Sequence, residues 1–332
     1  MLLNALSAVK LDVVKTVPRK KSSITTIKSI KSIAKLCLAR VNYHMSMISL
    51  SEAQKQAVEK DLQPPTDYNG CMHKACRQVL SDFLSSATEA YDSLKCSDIA
   101  RVEDLSYADG NEPCKIDVWG KVDKKLFVFV HGGYWQEGNR KLACSPAFAA
   151  VPAEFAYASI GYNYSTKERP LSLTVQQVVN SVRYLIEKYP NLEKIVIGGH
   201  SAGAQLAFKT CSFVKSPKIV GLVLLAGVYD LKELVRCEIG QGAGLTESEA
   251  EKNSCNADEL SEASMKILIL IGDEESPRLR EQNKKLYEEL GEKNHDVRYK
   301  ELEGVNHFTL VTDLKSNASE ERNMLEKFLK DI

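Results

Sequence analysis

Hydrophobic positions gather into a repeating pattern along this chain. Apolar, largely β-branched or aromatic runs occur at 126–130, 155–162, 194–198, 219–226 and 266–271, and a more alternating run at 295–300 completes the series. Between most of them the apolar positions recur every three or four residues, at 171–188, 202–213, 231–237, near 247–253 and at 277–290, with a last such segment at 319–329. Continuous apolar strands alternating with amphipathic helices predict an α/β fold, a mostly parallel twisted sheet covered by helices on both faces. Upstream, 51–62 and 72–94 read as helices; Ser51 is a candidate N-cap, Pro64-Pro65 ends the first, and Val79, Leu80, Phe83, Leu84 and Ala87 share one face of the second. Two short strands, 103–107 and 115–119, flank Asp109-Gly110, which predicts an antiparallel hairpin at the N-terminal edge of the sheet. The stretch 228–264 breaks the strand rhythm, as either a cap insertion or an ordinary surface excursion.

Composition refines this picture in two places. The 332 residues carry 44 basic and 44 acidic side chains, so no overall field favours nucleic acid. The balance is local, however: residues 1–50 hold nine Lys or Arg against the single acid Asp12. That basic, Ser/Thr-containing leader reads as a mitochondrial transit segment or a disordered tail, ahead of a domain over 51–332. No apolar run reaches the ~18 residues that a membrane span needs. Nine cysteines without a C-x-x-C pair read as free thiols of a reducing compartment such as the cytoplasm.

The candidate chemistry sits at strand ends. Lys194–Gly198 runs into Gly199-His200-Ser201-Ala202-Gly203 and then a helix, which is the strand–turn–helix context of a G-x-S-x-G nucleophile elbow. Serine needs a base to take its proton and a third group to orient that base, and in this fold the chain order is Ser, acid, His. His307, in Gly304-Val305-Asn306-His307-Phe308 after the last strand, is the expected base. The turn Gly272-Asp273-Glu274-Glu275-Ser276-Pro277 supplies the acid, with Asp273 and Glu275 both open on the residues alone. His131-Gly132-Gly133-Tyr134-Trp135 directly follows 126–130, so the N–H groups of Gly132 and Gly133, with that of Ala202, are expected to form an oxyanion hole. His131 itself reads as a hydrogen-bonder of that loop. Tyr134 and Trp135 are the substrate-side candidates, the indole being equally a core residue or a wall for an aromatic ring. No histidine pair has metal-ligand spacing, and neither a dinucleotide nor a Walker pattern occurs, so no cofactor or metal is expected.

Together, His131-Gly132-Gly133-Tyr134-Trp135-Gln136 and Gly199-His200-Ser201-Ala202-Gly203-Ala204-Gln205-Leu206 resemble the kynurenine formamidase (arylformamidase) group of animal α/β-hydrolases, neighbours of the hormone-sensitive-lipase-like esterases. Tyr107-Ala108-Asp109-Gly110, Gly161-Tyr162-Asn163, Gly227-Val228-Tyr229-Asp230-Leu231 and Asn306-His307-Phe308 extend the similarity over roughly 70–330. The resemblance implies hydrolysis of N-formyl-L-kynurenine to L-kynurenine and formate, with Ser201 as nucleophile and His307 as base. The family's acid, an Asp before Ser-Pro, falls on Glu275, with Asp273 as the fallback. A small-molecule substrate, no nucleic acid and no membrane follow, with a homodimer among the oligomeric states open to it. A broad carboxylesterase and a catalytically silent binding protein on the same fold are the competing expectations.

Overall fold

The structure is a computed structural model that describes residues 77–332 apart from 109–112 and 261–264. The predicted leader 1–50, the helix at 51–62 and the Asp109-Gly110 turn lie outside the described residues.

Nine α-helices and eight strands are found among the described residues. Helix α1 (Arg77–Cys96) leads into the edge strands β1 (Arg101–Ser106) and β2 (Lys115–Trp119), then β3 (Lys125–Val130). A four-residue helix α2 (Ala147–Ala150) precedes β4 (Ala156–Ile160), followed by α3 (Leu171–Lys188), β5 (Lys194–His200), α4 (Ala202–Phe213) and β6 (Ile219–Leu225). The predicted interruption holds α5 (Glu238–Gly242) and α6 (Glu247–Asn253) between two 3-10 turns. Strand β7 (Lys266–Gly272), α7 (Pro277–Glu292), β8 (Asp296–Leu302), α8 (Thr309–Thr312) and α9 (Glu320–Lys330) complete the chain.

The eight strands form one sheet in the order β1-β2-β4-β3-β5-β6-β7-β8. β1 and β2 pair antiparallel, β2 meets β4 antiparallel, and every later pairing is parallel. The burial follows the residue types: Leu126, Phe127, Val128, Phe129 and Val130 are all fully buried, each contributing roughly 1.5–3 kcal/mol relative to an exposed side chain. This two-sided burial is what a parallel sheet between helical layers requires.

Topology also places the site. From β3 the chain goes to β4 on one side and then crosses to β5 on the other, so the direction of strand addition reverses between the neighbours β3 and β5. A crevice opens beyond the carboxyl ends of strands at such a switch point. The His131–Trp135 loop leaves β3 there, and Ser201 leaves β5.

Candidate active site

Ser201 occupies a turn that its neighbours force upon it. Its backbone lies at φ 57 and ψ −123, a conformation that costs a non-glycine residue energy and persists only where the surroundings over-determine it. They do so here. Its N–H donates to the carbonyl of Leu225 at 2.8 Å, and its carbonyl accepts from the N–H of Ala204 at 3.0 Å. The flanking glycines permit the close approach: a Cβ on Gly199 would lie 2.1 Å from the carbonyl oxygen of Gly203, and one on Gly203 would lie 2.1 Å from that of Val130. Strand β5, helix α4 and the end of β3 therefore meet at the serine, which is 2 % exposed.

His307 sits between β8 and α8 in a loop shaped by Asn306. The Asn306 side chain accepts from the N–H groups of Phe308 at 2.9 Å and Thr309 at 3.0 Å, starting α8 and fixing the intervening backbone. The imidazole Nδ1 donates to Glu275 Oε2. Glu275 is buried, and its other oxygen accepts from the N–H of Ser276 at 2.8 Å. A carboxylate only accepts, so this pairing puts the proton on Nδ1 and leaves the Nε2 lone pair free to act as a base.

Asp273 has a different task. Its Oδ1 accepts from the N–H of Gly304 at 2.8 Å, while its own N–H donates to Leu302 at 2.9 Å. The N–H of Glu274 donates to Val305 at 3.1 Å. Asp273 thus laces the acid turn to the base loop, and Glu275 is the carboxylate that reaches the imidazole.

The loop after β3 is equally constrained. Gly133, Tyr134 and Trp135 all have positive φ, at 111, 47 and 61. A Cβ on Gly132 would stand 2.8 Å from the carbonyl oxygen of His200 and 3.0 Å from Ser201 Cβ, so the loop lies directly against the serine turn. No acceptor among the described residues takes the N–H of Gly132 or Gly133. His131 stacks on Tyr162 with ring centroids 4.1 Å apart, and its Nδ1 donates to the carbonyl of Gly132 at 2.8 Å. Burial pushes its pKa down to about 4, which keeps it neutral and suits a loop-holding role.

Trp135 corrects one half of an even expectation. It is fully buried, and its indole N–H donates to Gln205 Oε1 at 2.9 Å, so it packs in the core and does not face an open pocket. Tyr134 is half-buried beside it. Three residues, Gln136, Gln205 and Asn253, to which the sequence reading gave no role, connect the interruption between β6 and β7 with this loop and with α4. Gln136 Nε2 donates to the carbonyl of Ile239 at 2.8 Å, and Gln205 Nε2 donates to that of Asn253 at 2.8 Å. Asn253 in turn donates to Glu249 Oε2 at 3.1 Å. The available signal was polarity out of place, as with Gln205 in the apolar run Ala204–Phe208.

The fold is shared with solved esterases. An esterase of Pyrobaculum calidifontis aligns with a TM-score of 0.62 over 85 % of this chain and 98 % of its own, at 14 % identity. An esterase of the bacterial hormone-sensitive lipase family aligns with a TM-score of 0.59 over 77 % of this chain and 99 % of its own, at 16 % identity. The sheet and its covering helices thus have the α/β-hydrolase fold. The BD-FAE family profile matches residues 118–233. In sequence, the kynurenine formamidase of Danio rerio is 29 % identical over 224 residues, covering 64 % of this chain and 76 % of that protein. That of Drosophila melanogaster is 26 % identical over 252 residues, covering 70 % and 81 %. Within the α/β-hydrolases, the chain is therefore a relative of the animal kynurenine formamidases.

Proposed function

We propose that this protein is a serine hydrolase that removes the formyl group of N-formyl-L-kynurenine, giving L-kynurenine and formate. The observation that carries the reading is the buried Glu275–His307 pair, whose loop is joined by the 2.8 Å bond from His200 Nε2 to the strand–helix turn that keeps Ser201 at positive φ. The named activity of its relatives selects the substrate. Ser201 Oγ attacks the formyl carbon as His307 Nε2 takes its proton. The negative oxygen of the tetrahedral intermediate is received by the N–H groups of Gly132, Gly133 and Ala202. His307 then protonates the anilide nitrogen as the C–N bond breaks, leaving a formyl ester on Ser201. Water, deprotonated by the same imidazole, attacks that ester and releases formate. Glu275 stabilises the imidazolium that forms in each half.

Steady-state turnover of N-formylkynurenine by the purified protein tests the reading. Ser201→Ala is expected to lose at least about 10⁴-fold in kcat, and an unchanged rate would overturn the assignment. A higher kcat/KM on short-chain aryl esters than on formylkynurenine would favour a broad esterase instead. The reach of Glu275 to His307 supports an active enzyme over a catalytically silent protein, an idea that rested on Glu in place of Asp. We place the reaction in cytoplasmic tryptophan catabolism; recovery in a mitochondrial fraction would move it to the other compartment that the basic leader suggests.

A further inference from the structure

His200 is the last residue of β5, adjoins Ser201, and takes no part in the chemistry above. Its side chain nonetheless lies between the His307 loop and the Gly132 loop. Nε2 lies 2.8 Å from the carbonyl oxygen of His307, and the two imidazoles are 4.5 Å apart between centroids, tilted by 45°. On the other side, Nδ1 would stand 3.2 Å from a Cβ built on Gly132, so this nitrogen faces the loop with the proposed oxyanion donors. The ring is 6 % exposed.

A backbone carbonyl can only accept, so the Nε2 contact requires the proton on Nε2 and leaves Nδ1 bare. Burial, with the neighbouring His307 adding to it, pushes the His200 pKa down to about 3, so the ring stays neutral at physiological pH. A neutral donor suits this place, because a second cation beside an imidazolium His307 would oppose its formation. The His307 backbone is also located by the Asn306 turn, whose hydrogen bonds start α8. The His200 bond directly ties the end of the strand that leads into Ser201 to the loop that carries His307.

We infer that His200 is a positioning residue, whose Nε2–H holds the His307 main chain in register with Ser201. The inference rests on the assignment of Ser201 and His307 as nucleophile and base. A misplacement of the order of 1 Å in such a pair costs about a hundredfold in rate, and it acts on the chemical step more than on substrate binding.

Two variants separate this role from mere packing. A glutamine amide extends to where Nε2 lies, whereas an asparagine amide reaches only as far as Nδ1 and falls short of the His307 carbonyl. His200→Asn is expected to lower kcat about a hundredfold with KM changed by less than about threefold, and to slow fluorophosphonate labelling of Ser201 in parallel. His200→Gln is expected to recover both to within about tenfold of the parent. Equal rates for the two variants, a normal kcat in His200→Asn, or a loss confined to KM would each overturn the inference. The underlying assignment fails by a different result, namely turnover or labelling that survives in Ser201→Ala.

Discussion

At the scale of single residues, the sharpest finding is which carboxylate meets His307. Glu275 meets Nδ1 of His307 from a buried position, while Asp273 is occupied with the N–H of Gly304. Glu275→Gln is expected to lower kcat by about 10³–10⁴-fold, because an amide in that place favours the wrong imidazole tautomer. Asp273→Asn, which keeps a side-chain oxygen toward Gly304, should stay within about threefold of the parent rate in the same assay. The reverse ranking would reassign the acid. The placement of Ser201 between strand and helix and of His307 after the last strand was legible in the sequence, because the strand–turn–helix context and the chain order constrain them. The choice between Asp273 and Glu275 was not. It depends on how the turn after β7 is laced to residues 302–305, a long-range pairing without a local signature. Trp135 was undecided for a related reason, since its partner Gln205 lies 70 residues away.

At the scale of elements, the continuous apolar runs marked the buried parallel strands to within a residue or two, because two-sided burial leaves no freedom in residue type. Helix α2 was missed: four residues, Ala147–Ala150, are too few to show a period. The predicted helix at 231–237 is a 3-10 turn over Lys232–Arg236, its C-cap Cys237 having extended backbone. What anchors the end of this interruption is a buried cation. Lys209 of α4 is 3 % exposed, pairs with Glu259, and donates to the carbonyls of Lys252 at 3.0 Å and Ser254 at 3.4 Å. It thereby serves acceptors at the C-terminus of α6 that would otherwise be unsatisfied. Lys209→Met keeps the volume and removes the donors, at a cost of about 1–3 kcal/mol. A melting temperature lower by roughly 2–4 °C per kcal/mol is the expected reading, and an unchanged one would mean that these carbonyls find water instead.

For the whole molecule, two of the four histidines buried among the described residues make stability depend strongly on pH. His131 and His200 have folded pKa values pushed down by burial to about 4 and about 3, against 6.5 in an unfolded chain. Above 6.5 both states are neutral and nothing is lost; below it the unfolded chain binds protons that the native one refuses. Stability is therefore expected to fall as pH drops from about 6.5 toward 4, by at most about 1.4 kcal/mol per pH unit for each histidine. Asp117 and Glu321, whose pKa values are raised chiefly by burial, act with the opposite sign at the acid end. Urea unfolding across that range should show a shallower slope for His200→Gln than for the parent, and identical slopes would mean that His200 is already protonated in the native state.

The left-handed bend at position 201 is carried by the fold as a standing load. Glycine adopts it freely, whereas alanine feels the same crowding around Cβ as serine does, so Ser201→Gly should outlast both Ser201→Ala and the parent on heating, by about 1–2 kcal/mol. The most durable version of this molecule would then be one without a hydroxyl at position 201, and the parent is held slightly short of its own best rest state by the carbon that carries that hydroxyl.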